Sequence, residues 1–166
     1  MIKVLNLGCG KDNYGTHRID FQKSSQANII HDLSNPLPFS DNYFDEVRIY
    51  RTFEHLRNCG LIVDEIYRVL KKGGHFDLIT DNAGYIVFHT KSEHNSYLFV
   101  KGYNKHPKDI HRYLFVPSHL KAHFNKFRNL RTSYLIRNNK KGWKLWLLKW
   151  LPFHLGWEEI RLRGKK

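Results

Sequence analysis

Ile2-Lys3-Val4-Leu5-Asn6-Leu7-Gly8-Cys9-Gly10 decides the fold, together with Thr16-His17-Arg18-Ile19-Asp20 a few residues later. An apolar strand that runs straight into a Gly-x-Gly turn lets a ligand approach the backbone where a side chain would not fit. An acidic residue at the end of the next strand can then take the two hydroxyls of a ribose. Three parts of a nucleoside site therefore stand in order within twenty residues. A dinucleotide fingerprint needs a third glycine three positions after the second, for close helix packing beside a pyrophosphate. Asn13 occupies that position, inside the bulky polar run Lys11-Asp12-Asn13-Tyr14. A nicotinamide dinucleotide is thereby disfavoured.

Leu5-Asn6-Leu7-Gly8-Cys9-Gly10 resembles motif I of the class I S-adenosylmethionine-dependent methyltransferases, and more closely the type 11 methyltransferase-domain group. His31-Asp32-Leu33-Ser34-Asn35-Pro36-Leu37-Pro38-Phe39 is similar to that group's third-strand end and following loop. Phe44-Asp45-Glu46-Val47 resembles its FD-x-V segment, and Phe53-Glu54-His55-Leu56 its EHL segment. Glu65-Ile66-Tyr67-Arg68-Val69-Leu70-Lys71-Lys72-Gly73-Gly74 is similar to E-x-x-RVLKPGG. Two positions depart from the pattern: Asn6 stands where an acidic residue is usual, and Lys72 replaces the proline. The resemblance implies S-adenosylmethionine as cofactor, held by the backbone at Gly8, Cys9 and Gly10, with Asn6 as a further cofactor-binding residue and Asp20 on the ribose. It also implies Asp32 facing the adenine amino group, with Leu33 as a wall or backbone donor.

Strand-like runs at 2–7, 17–21, 28–33, 44–50 and 75–80 alternate with a helix predicted from about Leu61 to Lys71. Ile62, Ile66, Val69 and Leu70 share one face of that helix, Asn58 is its expected N-cap, and Gly73-Gly74 its left-handed stop. Leu120, Phe124 and Phe127 mark a short helix after Pro117-Ser118, and strands are expected at 129–136 and 157–163. The expected fold is a Rossmann-like, seven-stranded, mostly parallel sheet with helices on both faces and a C-terminal antiparallel strand pair. Sites of such sheets lie at the carboxyl ends of the strands, so Gly8–Gly10, Asp20, Asp32 and Arg51 should share one rim. Only about nine residues join the first two strands, fewer than a parallel crossover normally needs. The usual first helix should shrink to a turn or two, leaving Tyr14 and His17 near the cofactor.

The 166 residues fit one domain, with a cofactor half at 1–82 and a basic acceptor-side half at 101–166. A hydrophobic fraction of 41% with 14% aromatics argues against disorder. No apolar run reaches the roughly eighteen residues of a membrane span, and the two cysteines, Cys9 and Cys59, read as reduced thiols of a cytoplasmic protein. The net charge of +13 is segregated: residues 1–100 hold 11 Lys and Arg against 12 Asp and Glu, and residues 101–166 hold 17 against 3. Such a field attracts phosphates, so an anionic acceptor is expected: RNA, or a phosphorylated small molecule, glycan or lipid. The stretch Trp143–Trp150, flanked by Lys140, Lys141 and Lys144, reads as a core helix, an interfacial segment for peripheral membrane contact, or part of a nucleic-acid groove.

Methyl transfer needs alignment of two reactants more than any particular catalytic side chain. The acceptor-side candidates are Arg51 and His55, just after the fourth strand, with His55 available as a proton acceptor. The pairs His89/His94 and His119/His123 read as surface residues, and no metal is expected. Cys59 falls at a helix start and does not read as a nucleophile. A catalytically silent methyltransferase-like module that binds nucleic acid or a partner protein is the alternative, drawn from Asn6 and the short first crossover.

Overall fold

In the computed structural model, which describes residues 1–23, 25–88, 111–136 and 157–166, residues 46–50 alternate in burial as a half-covered strand should. Leu5, Leu7, Val47, Ile49, Phe76, Leu78, Ile160 and Leu162 are fully buried and lie on one face. The strands are β1 (Val4–Leu7), β2 (His17–Asp20), β3 (Ile29–Ile30), β4 (Phe44–Tyr50), β5 (Leu70–Asp81), β6 (Arg128–Leu135) and β7 (Glu159–Lys165). They form one sheet in the order β3-β2-β1-β4-β5-β7-β6. The first five strands are parallel, and β7 lies antiparallel between β5 and β6. The last strand thus inserts beside the fifth, and strands from both halves of the chain share one sheet.

Helix α1 (Cys59–Val69) starts as expected: the Asn58 side chain accepts the Leu61 N–H at 3.0 Å. Its end differs from the sequence expectation. The helix stops at Val69, Leu70 is already extended, and β5 begins there, paired with Phe44. The next pair is Glu46 with His75, so residues 71–74 form a wide bulge in β5. Gly73, at φ +83°, turns the backbone inside that bulge rather than capping the helix. The expected strand over 28–33 shortens to Ile29–Ile30, which frees His31, Asp32 and Leu33 for a loop.

Helix α3 (Pro117–His123) carries Leu120 into the core and is followed by the buried Phe124 and Phe127. Phe76 of β5 packs on Phe124 and Phe127 at ring separations of 4.5 and 4.6 Å, and Tyr67 of α1 meets Phe127 at 5.2 Å. Both helices therefore cover the same face. A further helix, α2 (Ala83–Phe88), follows β5.

The other face of the sheet is polar. Asp77 of β5 accepts from the Tyr50 hydroxyl at 3.0 Å, from Arg161 Nε at 2.8 Å and from Arg163 Nε at 3.2 Å. Burial pushes the Asp77 carboxyl up, yet its bonds to Arg161 and that residue's charge hold it below the usual carboxylate range. The connection from β1 to β2 contains no helix at all, shorter than the turn or two expected. Its Tyr14 lies over this polar face, with the Arg48 guanidinium 4.7 Å from the ring and the hydroxyl 3.1 Å from Glu46. His17 points into the core among Phe39, Tyr43 and Phe44. Neither residue lines the rim cavity, contrary to expectation, because strand alternation turns His17 inward and Glu46 and Arg48 hold Tyr14. His119 and His123 are exposed on α3. Lys140, Lys141, Lys144, Trp143–Trp150, His89 and His94 lie outside the described residues.

Candidate active site

Where β1 ends, the backbone turns through Gly8 at φ +66° and Gly10 at φ +52°. A Cβ on Gly8 would stand 2.2 Å from Thr52 Oγ1, so only glycine lets the turn approach the end of β4. A Cβ on Gly10 would meet nothing within 4 Å, because this residue faces open space. The turn is fixed from the second strand. Cys9 N–H donates to Ile19 O at 3.0 Å, and Gly10 N–H donates to Asp20 Oδ2 at 2.8 Å. Asp20 Oδ1 accepts the Gln22 N–H at 2.9 Å. Each carboxylate oxygen keeps a further lone pair, so Asp20 can brace the turn and still accept from a ligand hydroxyl.

A cavity of about 510 Å³ opens along this rim, within the usual range for small-molecule sites. Gly8, Gly10, Asp20, Asp32, Leu33, Arg51 and His55 line it. Seven of the nine residues singled out from the sequence are thus brought together. Asn6 and Cys9 are not among the lining residues. Asn6 is buried in β1 with its amide on Tyr14 O at 3.2 Å, tying the first connection down. The Cys9 side chain is buried, and burial, followed by the Asp20 charge, raises its thiol above the ordinary value.

The cavity has an acidic end and a basic end. At the first, Asp20 and Asp32 stand with His31, whose buried Nε2 makes no hydrogen bond among the described residues. At the second are Arg51, His55, Arg57 and Arg112. Arg51 occupies a left-handed backbone conformation at φ +49°, unusual for a side chain of this size. Its N–H donates to Ile79 O at 2.7 Å, and its guanidinium is bidentate on buried Glu159, with Nη2 to Oε2 at 3.1 Å. The fork is held in one place while nearly half of the side chain stays exposed. Arg112 anchors to the Phe53–His55 turn: its N–H reaches Glu54 O at 2.8 Å and its Nε reaches His55 O at 3.2 Å.

Sequence reasoning missed His31, Thr52, Arg57 and Arg112. His31 and Thr52 adjoin residues that were chosen, but Arg112 lies far along the chain, after a stretch with no motif. Cys59 is free and buried, and its thiol is pushed up to about 12 by burial and then by the Glu54 charge. A group so protonated is no nucleophile at neutral pH.

Residues 17–78 match the family described as the methyltransferase domain. No curated protein matches the chain in sequence. Among solved structures, an S-adenosylmethionine-dependent methyltransferase from Archaeoglobus fulgidus is 18% identical, with a TM-score of 0.67 over 99% of this chain and 86% of that one. A possible histamine N-methyltransferase from Thermotoga maritima is 14% identical, with a TM-score of 0.68 over 99% and 82%. Phosphoethanolamine N-methyltransferase 2 of Haemonchus contortus, solved with S-adenosyl-L-methionine, is 15% identical, with a TM-score of 0.67 over 99% and 48%. With the strand order and the inserted last strand, these likenesses show that the chain has the fold of the class I S-adenosylmethionine-dependent methyltransferases, and residues 17–78 match the methyltransferase-domain family.

Proposed function

We propose that this protein is an S-adenosylmethionine-dependent methyltransferase acting on an anionic acceptor. One observation carries the reading: a single cavity joins the Gly8–Gly10 turn and Asp20 at one end to three arginines at the other. The cofactor fits the first end on the chemistry of its donors and acceptors. The open side of Gly10 leaves room against the backbone for the methionine part. Asp20 takes the ribose, and the purine falls to Asp32, Leu33 and the unmatched Nε2 of His31. Asn6 and Cys9 act from behind, through the turn they hold.

When bound, the cofactor supplies a methyl group activated on a positively charged sulfur. The protein's share is alignment. Arg51, locked by Glu159, gives the acceptor's negative group a fixed planar partner, and Arg57 and Arg112 add charge on the same side. His55 presents an imidazole to this space, the side chain there able to accept a proton near neutral pH. The acceptor classes that suit this wall and the basic half are RNA and phosphorylated small molecules, glycans or lipids. Two free thiols suit the cytoplasm. No helix among the described residues is long and apolar enough to cross a membrane.

Incubation with methyl-labelled S-adenosylmethionine and a fractionated cell extract tests the acceptor. Label is expected in molecules retained on an anion exchanger, and Arg51→Gln should raise KM for them while S-adenosylhomocysteine binding holds. Label confined to neutral or cationic molecules would overturn the anionic acceptor.

A further inference from the structure

Beside the cavity, on the acceptor side, stands a cluster with no part in cofactor binding. Glu54, His55 and His111 each bring a ligand-type atom within 4.8 Å of the others. Glu54 and His55 come from the turn after β4, and His111 from the segment just before Phe115, which bridges to Asn82 at the end of β5. The rings of His55 and His111 meet edge to face at 4.2 Å. Glu54 is only 1% exposed, and its Oε2 accepts from the buried Thr80 hydroxyl at 3.0 Å. Behind His111, Asp81 Oδ2 lies 3.6 Å from Nδ1.

We propose that Glu54, His55 and His111 form a binding site for a divalent transition-metal ion of the zinc class, on the acceptor wall of the cavity. Two imidazoles and one carboxylate, leaving a further position open, are the donor set of catalytic zinc centres. A carboxylate behind a ligating histidine orients the ring and strengthens it as a ligand, and Asp81 stands in that place. His55 lines the cavity, so the open position faces the space assigned to the acceptor, whose oxygen or nitrogen would complete the coordination. The inference rests on the methyltransferase reading only for that last step. It changes the part of His55 from a lone proton acceptor to a ligand.

Zn²⁺ is the probe. The full chain, stripped with chelator and titrated calorimetrically near pH 7.5, should take up one equivalent saturably. His111→Ala should weaken that uptake at least tenfold, and Asp81→Asn by about 10–100-fold, the range for second-shell partners. With eleven histidines in the chain, the difference between variants is the readout. His119→Ala, on the exposed face of α3, serves as control and should bind as the parent does. A melting temperature raised by Zn²⁺ in the parent and not in His111→Ala gives a second readout independent of the variant's own stability. No saturable uptake, or equal uptake by the parent and His111→Ala, would overturn the site. S-adenosylhomocysteine titrated into the metal-free protein separates the two readings: binding there with no zinc uptake removes the metal site and leaves the methyltransferase reading standing.

Discussion

Asp20 Oδ2 accepts the N–H of Gly10 at 2.8 Å, so the acid at the tip of β2 and the glycine turn after β1 form one unit. Its other oxygen takes the Gln22 N–H. Asp20 braces the turn, and in the proposed function it also takes the ribose. Asp20→Ala should therefore weaken S-adenosylhomocysteine binding by about 1.5–3 kcal/mol, the range for hydrogen bonds to charged groups. It should also lower the melting temperature, because two backbone donors lose their acceptor. Asp20→Asn, which can still brace Gly10, should recover most of the melting temperature and only part of the affinity. Titration calorimetry and thermal melts of the two variants check this.

The two glycines of the turn should fail in different ways. A Cβ at Gly8 collides with Thr52, whereas one at Gly10 enters open space. Gly8→Ala is expected to destabilise the fold. Gly10→Ala should cost about 1–2 kcal/mol for its left-handed backbone and keep a native circular dichroism spectrum. Gly10→Val should remain folded and lose cofactor binding. Normal binding by the valine variant would make the turn structural only.

The polar face supplies a stability test away from the cavity. Asp77 joins Tyr50, Arg161 and Arg163 across three strands, and it is almost fully buried. Asp77→Ala should cost about 3 kcal/mol, the lower end for breaking a buried pair, since Arg161 is a quarter exposed and partly solvated. Denaturant unfolding measures it. S-adenosylhomocysteine affinity of the folded fraction should not change.

His17 gives a pH dependence with a definite sign. Burial, followed by the charge of Lys3, lowers its imidazole below the ordinary 6.5. As pH falls below about 6.5 the unfolded chain takes up this proton first, so the contribution present above that pH is lost on the way down. The melting temperature should drop between about pH 7 and 5, and less steeply in His17→Leu. Identical slopes for the two proteins would remove His17 from the account.

Much of this was legible in the sequence, for a physical reason. Apolar runs of the right length, two glycines and one strand-end carboxylate fix where parallel strands stop, and the carboxyl ends of parallel strands gather on one rim. Gly8, Gly10, Asp20, Asp32 and Arg51 line one cavity at that rim, with Leu33 and His55 beside them. The sequence was less clear where a local signal has two uses. Gly73-Gly74 follows a helix, but its glycines serve a bulge, because Leu70 pairs with Phe44 before the chain reaches them. His17 sits beside motif I yet faces the core, since its place in β2 decides its direction. Arg112 and His111 could not be assigned, because they reach the site through Phe115 and the Phe53–His55 turn rather than through any local pattern.

The basic half of the chain yields a salt test. If residues 101–166 contact RNA, affinity must fall steeply with salt as condensed counterions are released. Neutralising Lys140, Lys141 and Lys144 together should weaken binding and flatten that slope without altering cofactor affinity. Blue-shifted Trp143 and Trp146 fluorescence on anionic vesicles, and not on RNA, would point to a membrane instead.

Titration calorimetry of the full chain with S-adenosylmethionine, S-adenosylhomocysteine and NADH tests the central claim most directly. The site described here predicts saturable binding of the two adenosyl cofactors at one equivalent, lost in Gly10→Val, and no heat of binding with NADH. No detectable binding of either adenosyl cofactor at about millimolar ligand, weaker than roughly 4 kcal/mol of affinity, would contradict it. So would saturable binding of NADH.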